Sequence, residues 1–535
     1  MGIVDKILDF NIRDFVTAEK PVKKVEALRT GGVYNEIVNW SFDGEKNLGG
    51  VGQMKDYTLD FNALRVRSWQ SFLESELTQT IINKYTVWVV GNRLKLQSEP
   101  NQDALETESI SFDMNELTTR LESRWSVYSN SNYSTHSGNC NLNRLSRTAF
   151  KNSKLGGDVL VILRVVNNIV NVQLIDGQCV QTPLVSQSQT VKGQKEGTVI
   201  RNGVEIDKTG KHIAYWVNQG NYNFKRVEAY GKKSGKKMAY LVIGSEYRID
   251  NLRGMPLIST SLETLAKLDR YKEAMVAGAE SRAKIAYSIE HGIQSTGENP
   301  FTQNAVIASD YQENSNLPVT EDGYSLNTRV TSSVENTTIN MPNDSKLVMH
   351  ESKQELAFSD FYTINVQHIC AALGIPYEVA MSMFNSNYSA SRAALKDWEH
   401  SLNVQRKDFS EQFLSPIYDL FFDIQIMTNK VNAPGYLIGD DFIKEAYKQH
   451  RFIGMGVPHI DPLKEVKAER EKLGELGKNL PLTTLERAVE TLNTGDSSQN
   501  IKKFSDELRK ANELGLIEQK EVQEETDIED VETDS

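Results

Sequence analysis

Cysteine is scarce. Cys140, Cys179 and Cys370 are the only three in 535 residues, and none forms a CxxC pair. That spacing speaks against a disulfide framework or a cysteine-rich zinc site and fits a reducing compartment. Long apolar runs are also missing. Stretches such as Val159–Leu163 fall far short of the ~20 residues a membrane helix needs, and the mean hydropathy is −0.46. No integral membrane segment is expected, and no membrane partner. The N-terminus has no basic stretch leading into an apolar core, so no secretory signal is read there. The usual marks of chemistry are absent too: no Walker A, no HExxH and no GxSxG. His350-Glu351 begins an HExxH, but Gln354 stands in place of the second histidine. Gly231–Lys237 is one residue short of a P-loop and lacks Ser or Thr after the lysine. Gly49-Gly50-Val51-Gly52 lacks the third glycine of a dinucleotide loop. The lone pair Asp440-Asp441 reads as a turn or helix cap. No cofactor, no metal and no enzymatic activity are expected.

Positive charge is lacking as well, but unevenly. The formal net charge is −12, and residues 518–535 alone carry nine acids against one base, Lys520. The remaining body is nearly balanced, which excludes a strongly basic DNA-wrapping protein but not one that touches DNA loosely. The tail reads as disordered. It could repel DNA, recruit a basic partner, or serve as a solubilising terminus. The opposite bias appears in residues 201–240, with nine bases and three acids. Lys225, Arg226, Lys232, Lys233, Lys236 and Lys237 are candidates for a polyanion contact. The plainer reading is a solvated hairpin tip.

What is present is enough apolar material for a core, 39% of residues, and a length that allows about three to five domains at roughly 100–200 residues each. Ile3, Val4, Ile7, Leu8, Ile12 and Phe15 fall at helical spacing, and the interleaved acids favour packing on a neighbour over a membrane surface. The glycines from Gly31 to Gly52 mark a loop region. Asn62–Lys84 reads as a helix, Tyr85–Leu96 as strand, and Leu117–Tyr128 as helix. Asp158–Val166 and Ile169–Ile175, separated by Asn167-Asn168, form a hairpin signature. Strand-like pieces follow at Val199–Ile206, His212–Val217 and Met238–Ile243. Residues 1–255 thus read as a mixed α/β unit. A proline-free helix with many small residues spans Ser259–His291. An Asn/Ser/Thr/Gly-rich insertion, read as β-rich, follows over Gln294–Asn343. Helix resumes at Ser352–Leu373 and Ser389–Met427, and short helices follow at Pro462–Leu476, Thr483–Asn493 and Ser498–Leu514. Two long helices bracketing a small β insertion suggest a stalk with a tip.

Four segments, in this order, resemble the portal proteins of tailed bacteriophages, in the lambda-like family. The stretch Leu64–Gly91 ends in Val89-Val90-Gly91. Arg253-Gly254-Met255-Pro256 is similar to the RGxP turn before the long stem helix. Leu373-Gly374-Ile375-Pro376-Tyr377-Glu378, with Asn387-Tyr388-Ser389-Ala390-Ser391-Arg392, resembles an LGxPYE…NYSxxR block. Asp461-Pro462-Leu463-Lys464-Glu465 resembles a DPxKE motif. The resemblance runs over roughly residues 60–515.

It implies an α+β portal-type fold. Residues 1–60 would be an N-terminal arm and 61–258 an α/β wing. Residues 259–293 and 352–374 would be stem helices around a clip at 294–351. Residues 375–388 would hold the tunnel loop and 389–452 the long helix and wing return. A helical crown would span 453–517, with the acidic tail beyond it. The implied function is a dodecameric ring at one capsid vertex, the channel for double-stranded DNA packaging and ejection. The implied partners are the terminase large subunit, a head-completion adaptor, and the major capsid and scaffold proteins, with assembly in the host cytoplasm and residence in the virion. Met381, Ser382, Met383, Phe384, Asn385, Ser386 and Asn387 would form the tunnel loop. Its uncharged side chains would let DNA slide, where basic ones would hold phosphates. Arg253, Gly254, Pro256, Gly374, Pro376, Tyr388, Ser389, Arg392, Asp461, Pro462 and Glu465 would be structural, with Ser389 a helix cap and Arg392 paired to an acid. Two other readings stay open: a ring-forming virion or baseplate protein that conducts no DNA, and a nucleic-acid-processing enzyme using the 201–240 strip.

Overall fold

The computed structural model describes residues 38–47, 53–108, 110, 112–183, 191, 193–220, 223–246, 251–284, 288–291, 331–333, 336–338, 345–348, 356–383, 388–456, 462–474, 482–492 and 497–513. Two compact units divide the chain: Met1–Glu263 with Ile369–Ser535, and Thr264–His368. Helix and strand are mixed in both. The expected N-terminal helix, the glycines at 49–52, most of the insertion, Phe384–Asn387, Asp461 and the acidic tail lie outside the described residues.

The first unit opens with β1 (Val38–Asn47) and β2 (Gln53–Leu59), an antiparallel pair. The region expected to be loop is therefore a hairpin here, with Gly44 inside a strand. Helix α1 (Phe61–Glu74) follows, capped by Asp60, whose carboxylate accepts from the amides of Asn62 and Ala63 at 3.1 and 3.0 Å. Ser75 takes an extended conformation and breaks the helix, and α2 (Glu76–Val89) begins at once. Two helices replace the single one expected, and Val87–Val89 are helical rather than strand. The reason lies in the spacing: Leu77, Ile81, Tyr85 and Val89 are buried at four-residue intervals along one face.

Strand β3 (Lys95–Ser98) leads through α3 (Gln102–Thr107), α4 (Met114–Asn130) and α5 (Leu142–Gly156) into the central hairpin, β4 (Asp158–Val166) and β5 (Ile169–Asp176). Val166 pairs with Ile169, and both turn residues are left-handed, Asn167 at φ 52° and Asn168 at φ 61°. Asparagine is the residue, after glycine, that tolerates this two-residue turn. A four-stranded meander follows: β6 (Val199–Arg201), β7 (Val204–Ile206), β8 (His212–Asn218) and β9 (Phe224–Glu228). Then β10 (Ala239–Ile243) returns to the free edge of β4, completing the order β10-β4-β5. Leu160, Ile162, Val180, Val204, Tyr215 and Ala239 form one buried cluster that joins the two sheets.

Helix α6 (Leu262–Lys284) carries the chain into the second unit. It ends before the expected His291, because Ser288–His291 forms strand β11. Short strands β12 (Thr331–Ser333) and β13 (Asn336–Thr338) pair with each other, and β14 (Ser345–Val348) pairs antiparallel with β11. Helix α7 (Leu356–Leu373) leads back, and its Phe361 packs on Tyr271 of α6 with ring centroids 4.7 Å apart.

Back in the first unit come α8 (Tyr377–Met381), α9 (Tyr388–Phe409), a π-helical turn at Ser410–Leu414 and α10 (Ser415–Met427). Most of α10 is buried; its Tyr418 and Phe421 pack edge-on to Trp125 of α4 at 5.7 and 5.2 Å. Helix α11 (Asp441–Lys448) is capped by Asp440 through the amide of Ile443 at 3.0 Å, which settles the acidic pair as a cap. Strand β15 (His450–Ile453) pairs with β3, and the chain continues through α12 (Pro462–Leu473), α13 (Leu485–Thr491) and α14 (Ser497–Glu513).

Candidate functional site

The motif residues gather around two places, a buried charge cluster and the helix junction before α9. The cluster is built where β4 starts. Asp158 and Arg253 have side chains 0% and 2% exposed, and Arg65 of α1 is 1% exposed. One Asp158 oxygen accepts from Nη2 of Arg65 and Nη2 of Arg253, both at 2.8 Å. The other accepts from Nε of Arg253 at 2.6 Å and from the amide of Gly254 at 3.1 Å. Arg253 also donates to the carbonyls of Val180 (2.8 Å), Asn202 (2.7 Å) and Gly177 (2.6 Å). It thereby ties the start of the first sheet to the turn of the second. Arg65 Nε donates to Gly156 at 2.6 Å.

The glycine of this motif has a packing reason. A Cβ on Gly254 would meet the Gly157 carbonyl oxygen at 1.9 Å, and Gly157 itself sits at φ +90°. The two backbones touch, and only glycine fits at either position. Pro256 then precedes a single 3-10 turn, Leu257–Thr260, ahead of α6. Two guanidiniums share one carboxylate here. Burial pushes the Arg65 guanidinium below its usual range, Asp158 opposes this, and Arg253 adds to it.

The second place starts at the end of α7. Gly374 is left-handed at φ +72°, and the Ile375 amide donates back to Cys370 at 3.0 Å, a Schellman stop. The Tyr85 hydroxyl donates to the Leu373 carbonyl, and its burial pushes the phenol up to about 12. Pro376 occupies the position before α8, which carries Met381 half-buried at its end. Ser382 is left-handed at φ 55° and accepts from Lys84 Nζ at 2.7 Å. Met383 is 45% exposed. Of the expected tunnel loop, Met381–Met383 are therefore placed at the start of a turn, and Phe384–Asn387 fall outside the described residues.

Helix α9 begins at Tyr388, so Ser389 lies inside the helix and not at the expected cap. Arg392, in the second turn, reaches Glu465 of α12 at 3.5 Å, with side chains 44% and 11% exposed. Two segments singled out separately in the sequence thus meet through a charge pair, with Pro462 opening the helix that carries Glu465. Further along α9, Trp398 packs on Trp88 at 5.1 Å, and the buried Arg406 donates to the carbonyls of Trp88 (2.6 Å), Val89 (3.1 Å) and Met455. A cation here satisfies the exposed carbonyl end of α2. Burial lowers its pKa.

The six basic candidates of 201–240 separate. Arg226 is held by Glu205 at 2.8 and 3.0 Å and by Glu228 at 3.1 Å. Lys236 is bound to buried Asp423 at 2.9 Å, which also takes Lys448 at 3.3 Å and the Tyr436 hydroxyl. Lys225, Lys232, Lys233 and Lys237 are exposed. Arg65, Asp158, Arg406 and Asp423 were not singled out from the sequence. The clue for Arg406 was available: Trp398, Leu402 and Arg406 recur every fourth residue, so the charge interrupts an apolar stripe. Asp158 gave no local sign, since its partners lie 93 and 95 residues away.

With this architecture on view, the chain belongs to the lambda family of phage portal proteins, whose family model matches residues 49–405. That family is structural and not enzymatic. The match includes the Arg253 and Gly374–Arg392 segments and stops short of Asp461–Glu465. Solved structures similar to this chain include one in the virion of a native gene transfer agent particle, at TM-score 0.44 and 10% identity, covering 82% of this chain and 95% of that one. Another is the neck of an empty gene transfer agent particle with C6 symmetry, at 0.43 and 10%, covering 82% and 94%. A third is the neck of the native particle with C12 symmetry, at 0.38 and 9%, covering 76% and 96%.

Proposed function

We propose that this chain forms a closed dodecameric ring at one vertex of a virion and that double-stranded DNA passes through it during packaging and ejection. The carrying observation is the family match over residues 49–405. The ring docks the terminase large subunit, then a head-completion adaptor, and sits among major capsid and scaffold proteins after assembly in the host cytoplasm. Residues 61–258 serve as the wing, α6 and α7 as stem helices, 294–351 as the clip, 389–452 as the long helix and wing return, and α12–α14 as most of the crown at 453–517. In support, α6 and α7 leave Val276, Phe361 and Ile364 about half exposed in a single chain, apolar surface of the kind that copies cover. Among the described residues no helix is long and apolar enough to cross a membrane.

The DNA path runs past Met381–Asn387, with Met383 and Phe384 approaching the constriction. Arg253, Gly254, Pro256, Gly374, Pro376, Tyr388, Ser389, Arg392, Asp461, Pro462 and Glu465 hold the frame around it. Native mass spectrometry with negative-stain electron microscopy on the full-length chain tests the ring. A closed assembly of about twelve subunits with a central hole is the expected result. A small closed oligomer without a hole refutes it.

A further inference from the structure

Two features remain outside the ring reading: the lysines of the meander and the acidic tail. The structure regroups the lysines. The β7–β8 turn is fixed by Asp207, whose carboxylate accepts from the amides of Thr209 and Lys211 at 2.8 and 2.9 Å. The loop after β9 is closed by the Tyr230–Lys237 bridge and by the Gly231 amide donating to Lys236 at 2.9 Å. The two meet: Lys211 Nζ lies 4.5 Å from the Tyr230 ring centre, and His212, held below its usual range chiefly by burial, is lowered further by the charge of Lys237. Lys208, Lys211, Lys232, Lys233 and Lys237 therefore share one end of the sheet, and all are exposed. Lys225 belongs to the other end, opposite Val217. Two of the nearby acids are already engaged, Asp207 in its turn and Glu228 with Arg226 and with Lys232 at 3.3 Å; exposed Glu196 adjoins Gly197, whose Cβ position is 3.9 Å from the Lys208 side chain. Asp419, which Lys237 also feels, belongs to buried α10.

We infer that this lysine end is a docking surface for an acidic peptide, and that its occupant is the chain's own tail, Glu518–Asp534. Charge complementarity carries the inference: nine carboxylates with one lysine face five exposed ammonium groups on a rigid platform. Reach is ample. From the end of α14 at Glu513 to Ser535 the chain can extend roughly 70 Å. Covalent connection also gives the tail an effective concentration no free polyanion matches at ordinary levels. Nucleic acid fits less well. Single strands are held by free aromatic faces beside the cations, whereas Lys211 already covers Tyr230 here and Lys237 lies over buried Tyr240 at 5.0 Å. The docked tail would shield the wing lysines from packaged DNA. The docking itself stands or falls independently of the ring.

The test is zero-length carbodiimide cross-linking of the full-length chain, read by mass spectrometry at low and high salt. Tail carboxylates should couple to Lys208, Lys211, Lys232, Lys233 and Lys237 well above Lys225, with the yield falling several-fold at high salt. In the full-length variant with these five lysines changed to Gln, a Glu-specific protease should release the tail about fivefold to tenfold faster, the order expected when several surface ion pairs are lost together. Lys225→Gln should leave the rate unchanged. Coupling no stronger than at Lys225, or an unchanged cleavage rate in the five-lysine variant, overturns the inference. So does protection of these lysines from acetylation by a short DNA duplex while the tail stays freely cleavable, which assigns the surface to nucleic acid.

Discussion

Replacing Asp158 with alanine strands two guanidiniums in the interior. Both arginines are at most 2% exposed, so water cannot take over the lost contacts without opening the sheet junction. Four hydrogen bonds end on this carboxylate. At about 1.5–3 kcal/mol for a bond to a charged group, simple addition would exceed what shared partners allow. The better guide is the cost of breaking a buried pair, about 3–5 kcal/mol. Two stranded cations place Asp158→Ala at the upper end, about 4–5 kcal/mol. At about 2.1 cal/mol/K of unfolding entropy per residue, a unit of roughly 400 residues shifts by about 1 °C per kcal/mol, so the melting transition should fall by roughly 4–6 °C. Differential scanning fluorimetry on the full-length chain reads this, with near-UV circular dichroism to check the surrounding tryptophans. The companion variant is Arg65→Met. It removes the surplus charge and leaves Arg253 and Asp158 as a neutral pair, so it should cost less than half as much. A shift below about 2 °C for Asp158→Ala, or Arg65→Met proving the more damaging, would refute the account of one carboxylate neutralising a pair of arginines.

Other substitutions probe other joints. Arg406→Lys keeps the charge but cannot span three carbonyls, and should lower stability by about 1–3 kcal/mol in the same melting assay. Gly374→Ala forces a side chain into a left-handed position at φ +72° and should cost about 1 kcal/mol, read by denaturant midpoint. Acid should weaken the fold through His450 and His212, both held below the ordinary 6.5, chiefly by burial. The unfolded chain binds these protons first, so stability is lost as pH drops below about 6.5. His450→Gln should flatten that slope in a melting series from pH 7.5 to 5. If the channel path is as proposed, Met383→Lys should leave ring formation intact while slowing packaging in a reconstituted motor assay.

Local chemistry was legible in the sequence and distant pairing was not. The hairpin at Asn167-Asn168 could be read because a two-residue turn needs left-handed residues and asparagine supplies them. The cap at Asp440 could be read for a similar reason. The stretch Val87–Val90 misled because β-branched and aromatic residues in a row favour strand. Tertiary burial of the Leu77-to-Val89 face decided for helix, and that face becomes visible only if the helix is not ended at Lys84. The Ser75 break had no proline or glycine to announce it. Arg253 and Arg392 stood out through their motifs, yet nothing near either named Asp158 or Glu465 as partner. Arg226 and Lys236 looked like members of a free basic strip because Glu205, 21 residues before Arg226, gave no sign of pairing with it, and Asp423 lies far along the chain.

The pairing of β11 with β14 has an entropic corollary. His291 and Ser345 face each other across an antiparallel ladder, so their Cα atoms lie only about 5 Å apart. The closure entropy of everything between them is met at that clasp, and doubling the enclosed length adds only about 0.6 kcal/mol. On this term alone, residues 292–344 can be lengthened or shortened at little cost while β11 and β14 keep their pairing.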